Sequence, residues 1–247
     1  MDTEKAPVYV IFGATGGIGA ALSRSLSSSG AHLMLAGRSE DRLNDLAGDF
    51  GAEHFVLDAT QVDAVAACMD RAVEKFGRVD GVANCVGSLL LKPAHLTTEA
   101  EWSSTITVNL GSAFAVVRAA SIAMMQTGGS IVLVSSAAAR KGLANHEAIA
   151  AAKAGIIGLA LSAAATYGSR GIRVNCVAPG LVRTPLTSRI TGNESSLKGS
   201  IAMHALGRIG EPEEVASAIA WLMDPAQGWV TGQVLGVDGG LGSVNAR

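Results

Sequence analysis

Val8-Tyr9-Val10-Ile11-Phe12-Gly13-Ala14-Thr15-Gly16-Gly17-Ile18-Gly19 is the stretch whose reading decides the fold. Its first five residues are apolar, rich in β-formers and too few for a helix. Glycines come next at 13, 16, 17 and 19. Residues 20–29 then read as a helix, with apolar positions at 18, 21, 22 and 26. Strand, glycine turn and helix are the setting of a dinucleotide-binding loop. Glycine permits a sharp turn and a close backbone approach to a pyrophosphate, and free N–H groups at the helix start face the anion. Glycine clusters also make ordinary turns, so the reading needs support from the rest of the chain.

Outward from that stretch, strands and helices alternate. Strands are expected at 32–36, 54–57, 79–83, 130–134, 172–177 and 234–237. Helices are expected at 41–50, 62–76, 101–125, 147–167 and 212–223. This alternation predicts an α/β fold: a Rossmann-type, doubly wound, seven-stranded parallel sheet with helices on both faces. Ligands of such sheets bind at the carboxyl ends of the strands. Arg38, Asp58, Asn84 and Ser136 all fall at strand ends and are expected along that edge. Residues 1–247 read as one domain without repeat or linker. The polar piece 184–206, with Gly192, Asn193 and Gly199, reads as the least regular of the chain and sits where a lid over substrate belongs.

The chain has 247 residues, 49% hydrophobic and 16% charged, with net charge −2, which suits one well-buried domain. Near-neutral charge gives no support for nucleic-acid binding. No apolar run is expected to span a membrane, and the polar start shows no signal peptide. Cys68, Cys85 and Cys176 are odd in number and widely spaced, as buried reduced thiols of a cytoplasmic protein would be. No cysteine and histidine cluster has zinc-ligand spacing, so no metal is expected.

At this point the chain resembles the short-chain dehydrogenase/reductase family over essentially its whole length. That family's Thr-Gly-x-x-x-Gly-x-Gly reads here Phe12-Gly13-Ala14-Thr15-Gly16-Gly17-Ile18-Gly19, with the threonine replaced. Its Asn-Asn-Ala-Gly is matched by Asn84-Cys85-Val86-Gly87, its helical asparagine by Asn109, and its proline-glycine motif by Pro179-Gly180-Leu181-Val182-Arg183-Thr184. The stretches from Gly207 to Val215 and from Val230 to Gly240 are also family-like. The resemblance implies cofactor contacts at each of these motifs and by Lys153. It puts Asp58 on the adenine amino group with the Ala59 backbone beside it, and it implies a homo-tetramer.

An acidic residue after the second strand would bind ribose hydroxyls and repel a 2′-phosphate. Gly37 stands there instead, with Arg38 next, whose planar fork of donors suits a phosphate. The alternative is that Arg38 starts an exposed loop. The reading is NADP(H) over NAD(H).

One position departs from the family. Its catalytic set is Asn, Ser, Tyr and Lys, with Tyr-x-x-x-Lys on one helix. The resemblance carries over to Asn109, Ser136 and Lys153, but Ile149 stands four residues before Lys153. Isoleucine cannot exchange a proton, and a positioned general acid contributes roughly 10²–10⁴-fold. Tyr9 lies in the first strand and Tyr167 beyond Lys153, so neither replaces it. His146, three residues before Ile149, is either a substitute donor or a solvated residue at the helix start. Three functions are compatible with these residues: an NADP(H)-dependent oxidoreductase acting on a small carbonyl/alcohol pair with an atypical proton donor; an NADP(H)-binding regulatory or scaffold protein with little redox activity; or non-redox chemistry in the same pocket. The last ranks lowest, because dehalogenase relatives keep the tyrosine and lose the cofactor loop.

Overall fold

The computed structural model describes residues 6–244. Among them, seven strands form one sheet: β1 (Val8–Phe12), β2 (His32–Gly37), β3 (Glu53–Val56), β4 (Gly81–Asn84), β5 (Gly129–Val134), β6 (Ile172–Pro179) and β7 (Val234–Val237). The order is β3-β2-β1-β4-β5-β6-β7, and every pair is parallel. Crossovers from β1 run one way and those from β4 the other, which leaves a crevice at the carboxyl ends of these two neighbours.

Alternating side chains feed two cores. Val10 and Phe12 point to one face, with Met69, Val116 and Ile156 from the helices α3 (Val62–Phe76), α5 (Ser112–Ala123) and α6 (Glu147–Tyr167). Tyr9 and Ile11 point to the other, with Leu22, Leu43 and Ile219 from α1 (Gly17–Ser28), α2 (Glu40–Phe50) and α9 (Pro212–Met223). A strand buried on both faces needs an unbroken apolar run, as β1 has.

Three expectations change. The helix expected at 101–125 begins earlier, as α4 (Glu99–Ile106), where Thr98 and Glu101 make a reciprocal cap. It then passes through a π turn, Thr107–Gly111, before α5. Residues 184–206 are not irregular: they hold α7 (Ser188–Thr191) and α8 (Glu194–Met203), the latter started by Asn193, whose Oδ1 accepts from the Ser196 N–H at 2.9 Å. Third, the stretches Glu99–Ala123 and Glu147–Arg170 are long and apolar enough to cross a membrane by length and hydropathy. Yet 50% and 44% of their windows are buried within the protein.

Candidate active site

The first cavity fills the β1/β4 crevice, with a volume of about 380 Å³. Gly13, Thr15, Gly16, Gly17, Ile18 and Gly19 form one wall; Arg38, Asp58 and Ala59 face them. The loop tolerates no side chain at its tightest point. A Cβ on Gly19 would lie 2.2 Å from the Gly13 carbonyl oxygen. Gly13 itself has φ +75°, and its Cβ would lie 2.9 Å from the Cys85 backbone. The glycine turn and the loop after β4 are thus pressed together, as a close backbone approach to a ligand requires. The opening N–H groups of α1 lack intrahelical partners, and no acidic residue stands in its first turn.

Gly37 leaves the space after β2 without a carboxylate. Arg38 is exposed there. Arg42, in the first turn of α2, reaches back to donate to the Thr15 carbonyl oxygen. The Thr60 N–H, 2.9 Å from Asp58 Oδ1, holds that carboxyl below its usual range, with the Arg38 charge adding to the effect.

A second cavity of about 350 Å³ adjoins the first and shares Ile18, Cys85, Val86, Gly87, Thr184 and Leu186 with it. Ser136, His146, Ile149 and Lys153 line it, with Pro179, Gly180 and Val182 on the far side. His146, Ile149 and Lys153 reach it together because spacings of three and four share a helix face. Ser136 Oγ accepts from the Ala138 N–H at 3.1 Å, which leaves its own hydrogen to donate into the cavity. Its neighbour Ser135 is turned away: its hydroxyl donates to the Lys153 carbonyl at 2.8 Å and pins α6 to β5.

Lys153 is buried and donates to the Val134 carbonyl at 2.9 Å. Loss of solvation pushes its ammonium down to about 8. A Cβ on Gly87 would come within 3.1 Å of Asn109 Oδ1 and 3.4 Å of Lys153 Nζ, so the glycine lets these two groups approach the loop. Among the described residues no tyrosine lines the cavity. Ile149, 3% exposed, stands one turn before Lys153; Tyr9 is in β1 and Tyr167 ends α6.

Two expected site residues line neither cavity. Asn109 is fully buried in the π turn; its amide donates to Ser88 Oγ and the Thr105 carbonyl, both at 2.9 Å, and its Oδ1 accepts from the Ser88 N–H. Asn84 braces the loop after β4 through the Val86 N–H and Ser112 Oγ. Both position walls. Cys85, expected to be buried, is half-buried at the junction of the cavities.

Several residues here were not singled out from the sequence. Ser88 becomes visible only as the partner of Asn109. Arg42 carried a signal, since it follows Arg38 by four residues at the start of α2. His204 carried none: α8 delivers it, buried, against the Gly180 turn. There Nδ1 donates to the Ser200 carbonyl at 2.7 Å and Nε2 accepts from the Leu181 N–H at 3.1 Å.

Comparison with known proteins agrees with this fold. Residues 13–242 match the family model described as enoyl-(acyl carrier protein) reductase. A 3-oxoacyl-(acyl-carrier-protein) reductase of Thermotoga maritima is 36% identical over 242 residues, covering 95% of this chain and 97% of that protein. A short-chain type dehydrogenase/reductase from Mycobacterium ulcerans superposes with a TM-score of 0.93 at 30% identity, covering 97% of this chain and 91% of that one. A single-residue variant of actinorhodin polyketide ketoreductase, solved with NADPH, superposes with a TM-score of 0.92 at 27% identity, covering 99% of this chain and 100% of that one.

Proposed function

Because this chain belongs to the short-chain dehydrogenase/reductase family, we propose that it is an NADP(H)-dependent oxidoreductase that interconverts a small carbonyl compound and an alcohol without a tyrosine as proton donor. The observation that carries the reading is the pair of adjoining cavities: one a glycine cradle beside two guanidinium groups, the other apolar around Ser136 and Lys153. The cradle fits a dinucleotide, because glycine at Gly13 and Gly19, where a Cβ would collide with the Cys85 backbone and the Gly13 carbonyl oxygen, keeps the turn tight enough for a pyrophosphate to approach the backbone. Arg38, with no acidic residue at position 37, fits a 2′-phosphate. The NADPH-bound ketoreductase is a supporting parallel.

Bound NADPH supplies the hydride for the carbonyl carbon. Ser136 donates its hydroxyl hydrogen to the carbonyl oxygen and stabilises the charge that develops there. Lys153 holds the cofactor ribose, and Asn109 fixes the Ser88 loop beside it. Ile149 replaces the family's tyrosine, so the floor beside the nicotinamide is apolar. Residues 184–206 act as the lid. Assembly as a cytoplasmic homo-tetramer accounts for the exposed apolar side chains Trp221 and Trp229 near β7, and Phe114, Ile122 and Leu161 on α5 and α6.

Cofactor binding followed by fluorescence, beside NADPH consumption with ethyl acetoacetate and a panel of other ketones, tests the reading. The expected result is tighter binding of NADPH than NADH and slow turnover that depends on Ser136. Tight NADPH binding with no turnover on any ketone favours a regulatory binding protein instead. Equal affinity for both cofactors removes the NADP assignment.

A further inference from the structure

Four titratable side chains line the inner cavity: Cys85, His146, Lys153 and His204. A reduction at this site needs one of them, or water, to deliver a proton. Burial pushes the Cys85 thiol up to about 12, so it is a poor acid at neutral pH. His204 has both ring nitrogens occupied, with Nδ1 donating and Nε2 accepting. His146 Nδ1 donates to the Ala144 carbonyl at 2.7 Å and the ring sits at the cap before α6, so it competes for the role only through Nε2 of an imidazolium, a reading that His146→Ala tests below. Lys153 differs from all three. An ammonium carries three hydrogens, and among the described residues it has one hydrogen-bond acceptor, the Val134 carbonyl at 2.9 Å. Two hydrogens remain: one for the cofactor ribose and one for the substrate.

From this geometry we infer that Lys153 is itself the catalytic acid, donating its proton directly to the substrate oxygen across the space that Ile149 leaves without a hydroxyl. The inference rests on the carbonyl-reduction reading above. In the step, the carbonyl carbon gains the hydride of NADPH and the C=O π pair moves to oxygen. That oxygen forms its O–H bond as a Lys153 N–H bond breaks. Alcohol, NADP⁺ and a neutral amine result, and the amine recovers its proton from water. The groups around the ammonium suit this exchange. Cys85 and Cys176 face it as neutral thiols, Asn109 as a neutral amide, and His146 lies on its own helix. Among the described residues no carboxylate lines the cavity to hold the proton on nitrogen. The same desolvation that lowers Lys153 to about 8 places it near the acidity that general acid catalysis at neutral pH requires.

The test combines a pH profile, chemical rescue and a readout independent of turnover. In wild type at saturating NADPH and ethyl acetoacetate, kcat is expected to be flat at neutral pH and to fall about tenfold per pH unit above about 8. Lys153→Ala should lower kcat by roughly 10²-fold. Methylamine, ethanolamine and glycinamide should then rescue that variant increasingly as their ammonium ions become more acidic. An anchoring role alone predicts rescue that ignores acidity. NMR of ¹³C-labelled lysine in the cofactor-free protein should show one lysine titrating near pH 8, lost in Lys153→Ala. Rescue insensitive to acidity, a basic limb that survives Lys153→Ala or vanishes in His146→Ala, or no low-titrating lysine would each overturn the proposal. Failure of the reading beneath it looks different: normal NADPH binding with no NADPH consumed by any ketone, which overturns both.

Discussion

The two adjoining cavities are built on different principles. The cofactor end is shaped by backbone: the glycine turn folds on itself so closely that a Cβ at Gly19 would sit 2.2 Å from the Gly13 carbonyl oxygen, and a Cβ at Gly13 would sit 2.9 Å from the loop after β4. The substrate end is shaped by side chains projecting from one face of α6, from the strand end at Ser136 and from α8. A backbone-built site keeps its residues because almost nothing else folds there. A side-chain-built site can exchange one group and leave the fold untouched. The contrast fits a molecule whose glycine cradle is fixed by its fold while, among the described residues, no tyrosine lines the adjoining cavity.

The sharpest attack on that contrast is Ile149→Tyr. If the substrate end is independent of the scaffold, the new hydroxyl, one turn from the Lys153 ammonium, gains a lowered pKa and acts as acid. Steady-state kinetics on ethyl acetoacetate should show kcat rising by roughly 10²-fold, with NADPH affinity little changed. No gain, in a variant that folds and binds NADPH, would show that the two ends are not separable.

A smaller effect comes from a place where the cofactor end does rely on a side chain. On the proposed pairing of Arg38 with the 2′-phosphate, Arg38→Ala removes a charge-assisted contact. NADPH should bind about tenfold more weakly by fluorescence titration, with NADH within about twofold of wild type. Equal losses for both cofactors would mean that Arg38 supports the loop, not the phosphate.

The smallest effect is on stability. Lys153 is held at about 8 in the folded chain against 10.5 for the free group. Between those values the unfolded chain binds the proton that the folded chain has given up, so wild-type stability rises with pH across that window. Below about 8 the folded protein carries the full cost of a buried charge. Lys153→Met removes that cost, and its melting temperature should exceed that of wild type by about 2–4 °C or more at pH 7, with the gain disappearing by about pH 10.5. A lower melting temperature at pH 7 would mean that the Val134 hydrogen bond outweighs the buried charge.

The same contrast governs what could be read without coordinates. The apolar run of β1 and the glycines behind it identify the sheet and its ligand edge, because periodicity and φ constraints are local properties. Arg38 was legible from its place after β2, whereas Ser136 and Lys153 entered as what the family resemblance implies, and the fold brings those two to one cavity. Asn109 was recognisable as a site residue, but its work was not: it lines no cavity and braces Ser88, a partner 21 residues earlier in the chain. His204 was invisible because its position depends on α8 returning to the Gly180 turn, a long-range contact without local signature. Residues 184–206 read as the least regular piece because their glycines and polar residues mask Asn193, a cap that starts α8.

The π turn at Thr107–Gly111 inserts an extra residue into what would otherwise be one continuous rod. In an α-helix each residue advances the register by about 100°. Deleting one residue from this turn would let α4 and α5 fuse into a regular helix. The sheet and its cores would need no change, yet Asn109 would swing away from Ser88 and Thr105. At this point the chain is permissive to a length change as architecture and intolerant of it as chemistry. A one-residue deletion here is a scar that a folding assay would overlook and an activity assay would find.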